Sequence, residues 1–375
     1  MGLLRLALAV SVLLTHMENF VHRPKKTLFG LTFIDADVAV QCFFVISGFY
    51  MALVLHEKYR GAGSYSVFIT QRFLRLLPTY WLVLGGILLV ELLIAAMHGN
   101  RTENTYSLQF WLKDYSHLAW PTWIVLGFSN LTLLGLNDMS GFFINHADGH
   151  LYLGAHGASI PATAYTIDPP AWSLGIEVVF YLFAPFLVHR SVAWQAGLFS
   201  ILVGIRLALE YLLHVPYLPT IFTSAPLQFP FFLAGSLAYR LYRNRAAFPR
   251  LFAGSGLHWV ALLVVITLFY HRLPLAKSAW IVLYPLLFVS IPALFALARN
   301  NFWDRQIGEL SYSFYLVHWF VIELANVATD YMPIPASLAT PICLAVTLLL
   351  SIAITQLFEN RVDRFRASLF QPSKG

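Results

Sequence analysis

An arginine and a histidine stand eleven residues apart in the first apolar run of the chain, residues 3 to 17. At about 100° per residue that spacing is three turns plus roughly 20°, so in a helix Arg5 and His16 share one face, roughly 16 Å apart along the axis. If the run crosses a membrane, Arg5 lies near one surface and His16 deep in an apolar layer about 30 Å thick. An ionisable side chain is costly to keep at that depth, and by default it marks a polar path or a reacting centre. A neutral imidazole can take a proton from a hydroxyl or itself attack a carbonyl, whereas an arginine near the surface suits an anion.

Other stretches carry groups of the same kind. RFLRLLPTYW at 72–81 places Arg72 and Arg75 at i, i+3 on an expected helix start. Guanidinium forks and a helix N-terminus both favour phosphate there; the alternative is a topological anchor against lipid headgroups. PAWSLGIEVVFYLFAP at 170–185 sets Ser173, Glu177 and Tyr181 at i, i+4, i+8 in one polar stripe. An intramembrane carboxylate is a functional candidate unless it only hydrogen-bonds between helices. GELSYSFYLVHWF at 308–320 spaces Tyr312, Tyr315 and His318 at i, i+3, i+6. Tyrosines at a helix start also form interfacial belts, but His318 lies deeper and needs a polar partner. Small residues in FFVISGF at 43–49, Ser47 and Gly48, allow close helix approach. Arg206 and Glu210, at i, i+4, neutralise each other as a structural pair. His146, Asp148, His150 and His156 lie among glycines, but no helix or cysteine pairing fixes ligand geometry, so no metal is assigned.

These groups need a scaffold, and composition states its class. With 58% hydrophobic and 11% charged residues and a mean hydropathy of +0.67, the 375-residue chain is far from a soluble domain, in which about a quarter of residues are charged. The reading is an all-α polytopic membrane helix bundle, a single domain over 1–375 with a core of about 2–360 and a short cytoplasmic tail, 361–375. Its net charge of +6 comes from short basic clusters between apolar runs, a topology signal rather than a nucleic-acid surface. Cys42 and Cys343 fall inside apolar runs and suggest no disulfide. Residues 1–17 lack a small-residue cleavage site and read as a mature helix. Spanning runs fall near 3–17, 37–56, 77–98, 171–188, 194–214, 222–242, 256–271, 277–298, 307–327 and 337–358. The weaker run 118–136 is interrupted by Pro121, Ser129, Asn130 and Thr132. If it does not cross, the clusters after 239 and after 360 lie on the cytoplasmic side with most of the 24 Lys and Arg; if it crosses, they move outside. It is therefore expected to be re-entrant or interfacial, giving ten transmembrane helices plus one.

Taken in order, the Arg5–His16 spacing, FFVISGF, the paired arginines with PTYW, WSLGIE followed by FYL, and SYSFYLVHW resemble the acyltransferase 3 family of integral membrane O-acyltransferases, over roughly residues 2 to 360. The resemblance implies a ten-helix enzyme that moves an acyl group, usually acetyl, from cytoplasmic acyl-CoA to a hydroxyl, commonly on a glycan. It implies no bound cofactor, with acyl-CoA (acetyl-CoA) as co-substrate, and a multi-pass protein of the bacterial inner membrane with both termini cytoplasmic. The family's essential arginine and histidine match Arg5 and His16, its paired arginines match Arg72 and Arg75, and its carboxylate after the WS pair matches Glu177. Two positions depart from the pattern: Gln41 stands where many members have Asp, and Val178 where many have a second acid.

On this reading His16 is the general base and Glu177, at a similar depth, orients or charge-balances it. Arg72 and Arg75 hold CoA phosphates at the cytoplasmic face, Arg5 guides the donor inward, and Ser173, Tyr315 and His318 contact substrate. The 137–170 loop receives a glycan or lipid-linked saccharide from outside. Membrane lipids are the other partner, and nucleic acid is not. A transporter using the same polar residues is the main alternative, opposed by the absence of an internal repeat. A non-catalytic sensor on the same fold is the second, opposed by the intact Arg5, His16 and Glu177 set.

Overall fold

The structure is a computed structural model that describes residues 1–21, 27–28, 31–59, 61, 63–98, 107–114, 116–155, 157–209, 222–249, 252, 256–272, 279–331 and 335–369. Its helices, in chain order, are α1 Gly2–Val21, α2 Ala36–Glu57, α3 Ser64–His98, α4 Ser107–Asp114, α5 Trp120–Thr132, α6 Trp172–Val188, α7 Val192–Leu207, α8 Ala225–Arg243, α9 Leu257–Leu268, α10 Tyr284–Ala298, α11 Phe302–Tyr331, α12 Ala336–Ile354 and α13 Asn360–Leu369. Each of the ten apolar runs overlaps one of these helices. Among the described residues five segments, Ala36–Glu57, Ser64–Ala96, Pro169–Val188, Ile281–Ala298 and Leu338–Leu369, are long and apolar enough by themselves to cross a membrane. The described apolar parts of α1, α7 and α9 are shorter. Helices α8 and α11 carry buried polar groups, Gln228 and Ser236 on one, Ser311, Ser313 and His318 on the other. Such helices are stable in an apolar layer when those groups face other helices.

The helices divide into two compact units. The first comprises Met1–Phe68, Ala184–Ser200 and Phe229–Arg361. Within it α1 lies against α11, and the first turn of α1 ends on a carboxylate: Gly2 N–H donates to Asp304 Oδ2 (2.8 Å) and Leu3 N–H to Oδ1 (3.0 Å). First-turn amides have no intrahelical acceptor, so an acid there satisfies them and complements the helix dipole. About four turns further along the same helices His16 meets His318. Residue numbers rise together, so α1 and α11 run parallel. Helix α12 returns antiparallel to α11, with Ser313 Oγ 3.2 Å from Thr355 Oγ1, and Leu13, Met17, Phe314, Ile322 and Cys343 pack as one core between the three. Both cysteines are buried and free.

Helix α2 also has parallel neighbours. Phe44 stacks on Phe232 and Phe49 meets Tyr239, along α8; Gln41 accepts a hydrogen bond from the Tyr284 hydroxyl and Phe49 meets Phe295, along α10. Gly48 and Gly235 make the α2–α8 approach: a Cβ on Gly48 would stand 2.0 Å from the Phe232 carbonyl oxygen, and one on Gly235 1.9 Å from that of Val45. Gly48, one of the two small residues noted in FFVISGF, is thus half of a reciprocal glycine contact.

The second unit comprises Ile69–Phe183, Ile201–Gln228 and Val362–Gly375. Here α5 is 13 residues long, roughly 20 Å, short of the roughly 30 Å that a crossing needs. Its polar residues are occupied. Asn130 Nδ2 donates to the Tyr165 carbonyl (3.1 Å), its Oδ1 accepts from Ile167 N–H (3.0 Å), and its own carbonyl accepts from the Tyr80 hydroxyl (2.6 Å). Trp120, Ile124, Phe128 and Leu131 form an exposed apolar stripe on the other side. The all-α expectation needs one correction in this unit. Residues 142–161 form a three-stranded antiparallel sheet, β3 Phe142–Asn145 between β4 Leu151–Leu153 and β5 Ser159–Pro161; a two-stranded pair, β1 Thr27–Leu28 and β2 Leu31–Thr32, precedes α2. Aromatic and β-branched residues beside an Asp148-Gly149 turn favour that hairpin, and Gly149 takes the left-handed conformation (φ 68°) the turn requires.

Candidate active site

Helix α1 delivers His16 to α11. Its Nδ1 lies 2.9 Å from His318 Nε2, and the two rings are within 10° of coplanar, with centroids 5.2 Å apart. His318 is fully buried, and its Nδ1 lies 2.5 Å from the Tyr315 carbonyl oxygen one turn earlier. Trp319 closes the pair from the side: its ring stands at 88° to His16 with centroids 5.1 Å apart, and its Nε1 donates to Glu323 Oε1 at 2.7 Å. Tyr315 packs its ring on Phe43 of α2 (6.1 Å) and on His318 (5.5 Å). The polar partner that His318 required is therefore His16. Both His318 and Tyr315 are buried. Arg5 lies half-buried three turns back along α1.

In the second unit the expected polar stripe of α6 is formed. The Tyr181 hydroxyl donates to Glu177 Oε1 at 2.6 Å, and the Arg72 guanidinium stands 6.0 Å from the centre of the Tyr181 ring. Ser173 Oγ donates to the Pro170 carbonyl at 3.1 Å, a bond that closes the start of the helix. Arg72 is buried and Arg75 exposed. The structure corrects the placement of this arginine pair. Helix α3 begins at Ser64, so Arg72 stands in its third turn, roughly 12 Å along the axis, and the N-terminal dipole expected to help bind phosphate falls off before reaching it. Nor is Arg72 held apart from the acid: it meets α6 near the middle of that helix, one turn past Glu177. Glu177 accepts from the Tyr181 hydroxyl within its own helix.

The remaining sequence candidates resolve differently. Asp148 serves its own turn, with Oδ1 accepting from His150 N–H (3.0 Å) and Oδ2 from the Tyr152 hydroxyl (2.7 Å). These bonds hold its carboxyl below the ordinary range. Among the described residues no three His, Cys, Asp or Glu are grouped to hold a metal, and His156 lies outside them. Arg206 Nη1 donates to the Leu227 carbonyl (3.1 Å), and Glu210 lies outside the described residues. Three groups were missed. Trp319 and Glu323, at i, i+4 just past His318, were a legible pair. Glu91 is a buried acid whose Oε2 accepts from Leu108 N–H (3.0 Å), capping α4, and its partner lies 17 residues on.

An imidazole pair with one ring fully buried can move a proton, and an acid, a phenol and a guanidinium can hold an anionic group. Comparison with known proteins states the family. A family described as an acyltransferase domain matches residues 1–356. Nodulation protein 10 of Rhizobium leguminosarum bv. viciae is 28% identical over 342 residues, covering 86% of this chain and 82% of that protein. No solved structure matches. With helical segments long and apolar enough to cross a membrane and an acyltransferase match over nearly its whole length, the chain belongs to the acyltransferase 3 family of membrane O-acyltransferases.

Proposed function

We propose that this enzyme takes an acyl group, acetyl as the family resemblance implies, from cytoplasmic acyl-CoA and transfers it to a hydroxyl of a glycan or lipid-linked saccharide. The observation that carries the reading is the His16–His318 pair, a base whose hydrogen-bond partner among the described residues is a second, fully buried imidazole. His16 takes the acceptor proton as the oxygen attacks the thioester carbonyl. The C–S bond breaks as the C–O bond forms, and the imidazolium returns the proton to the departing thiolate, so that ester and CoA thiol leave. Arg72, steadied over Tyr181, and Arg75 bind the phosphates of the donor, and Arg5 lines its way inward.

The direction of the helices supports a two-sided scheme. Parallel α2 and α8 require an odd number of crossings between them, which α3, α6 and α7 supply; a crossing by α5 would turn α8 round. Seven crossings between α1 and α11 likewise leave those two parallel. The apolar stripe of α5 then rests in the membrane interface, ten helices cross, and both termini share the side that carries most of the basic residues, the cytoplasm. The acyltransferase match weighs against the transporter alternative.

The test is release of free thiol from acetyl-CoA by membranes carrying the protein. His16→Ala should lower the rate by about 10²–10⁴-fold without loss of inserted protein. Near-parental release by that variant would refute the reading.

A further inference from the structure

We propose that His318 is a positioning residue that fixes His16 in the tautomer whose Nε2 carries the reactive lone pair. This deepens the function proposed above and rests on it. The argument is one of donors and acceptors. A backbone carbonyl can only accept, so the 2.5 Å approach of His318 Nδ1 to the Tyr315 oxygen places a proton on Nδ1. His318 is fully buried, and among the described residues the partners of its ring are Tyr315 on α11 and His16 on α1; Glu323, an acid farther along α11, receives the Trp319 N–H. A buried cation without a paired carboxylate is costly, so the ring is neutral and its Nε2 is an acceptor. At 2.9 Å from that acceptor, His16 Nδ1 is the donor. His16 is neutral in turn, and its lone pair lies on Nε2, on the side of the ring away from His318.

The geometry makes that choice rigid. A ring flip of His16 would set a carbon against His318 Nε2 and lose the bond, and the perpendicular Trp319 ring, tied to Glu323, opposes rotation. When Nε2 takes the acceptor proton, the positive charge that develops on His16 is met by an existing hydrogen bond from Nδ1, which needs no rearrangement to strengthen. His318 thereby serves as the orienting third group behind a base, a role often filled by a carboxylate, here without adding a charge to the apolar layer.

The tautomer is read directly by nitrogen NMR of the full-length protein labelled at histidine and held in lipid nanodiscs, with His16 assigned by its loss in His16→Ala. The expected signal is protonated Nδ1 and bare Nε2; protonated Nε2 on His16 in the parental protein would overturn the proposal. Kinetics give a second readout. His318→Leu, of similar bulk but without an acceptor, should lower kcat for thiol release from acetyl-CoA by roughly 10- to 100-fold with the donor KM nearly unchanged. His318→Gln, whose side-chain oxygen reaches the place of Nε2, should recover much of that loss. Parental kcat in a folded His318→Leu protein, or a Gln variant no better than Leu, would also overturn it. Activity in His16→Ala sinks the function proposed above, whereas an inactive His16→Ala with the opposite tautomer sinks only the role of His318.

Discussion

Tyr181→Phe removes one oxygen and leaves the rest of its surroundings in place, so it measures a single bond. The hydroxyl donates to Glu177 Oε1 at 2.6 Å, the short distance of a charge-assisted bond, while the ring beneath the Arg72 guanidinium is unchanged in phenylalanine. Hydrogen bonds to charged groups contribute about 1.5–3 kcal/mol net. At 1.36 kcal/mol per factor of ten, the full loss is roughly 10- to 150-fold if the bond serves the transition state. Glu177 has further interactions that remain, which places the expected fall in kcat/KM for acetyl-CoA near the lower end, about 10-fold. Tyr181→Leu also removes the ring under Arg72, so its donor KM should rise beyond that of the Phe variant. Initial rates of thiol release, with thermal unfolding of each purified variant, separate the two effects. A Tyr181→Phe protein with parental kcat/KM and parental stability would show that Glu177 does not depend on this bond and would remove the reason for grouping Arg72, Tyr181 and Glu177 as one site.

The burial difference between the paired arginines predicts unequal effects: Arg72→Ala should raise the donor KM more than Arg75→Ala, and Arg72→Lys should recover little of it, because a point charge cannot reproduce a planar fork. Equal KM effects at both positions would refute that ordering. Gly48→Ala forces a Cβ to within 2.0 Å of the Phe232 carbonyl oxygen, so the α2–α8 contact must open, at a cost of about 1–3 kcal/mol seen as a lower unfolding temperature in detergent. Adding Gly235→Ala should cost less than its single effect, because one displaced contact relieves both. For Asp304, burial raises the carboxyl but the Gly2 and Leu3 amides and the Met1 amino group outweigh it and leave the folded value below the ordinary 3.8. Its contribution is then present above that value and lost as pH falls through the lower folded one, so Asp304→Asn should narrow the stability difference from the parent on acidification. Cysteines placed at 150 and at 243 should be labelled by impermeant reagents from opposite sides of the membrane; labelling of both from one side would show that α5 crosses.

Apolar period and length specify helices locally, and each apolar run read from the sequence overlaps a helix, with Arg5 and His16 on the first of them. The ordered motifs likewise identified the family, since each is a short stretch whose residues are written side by side. Positions where local rules compete were less legible. The start of α3 lay eight residues before its arginines, in a stretch too polar for a hydropathy window. The strands of 142–161 lay inside a segment dominated by glycine and polar residues. What the tertiary structure alone decided is pairing. His16 and His318 are 302 residues apart, and spacing along a chain carries no information about which distant helix lies beside α1 or whether it runs with or against it. The sequence showed that a buried histidine needs a polar partner. Only the packing of α1 on α11 made that partner a second histidine, because a hydrogen bond of 2.9 Å is decided by the register of two helix surfaces and not by the residues that either contributes alone.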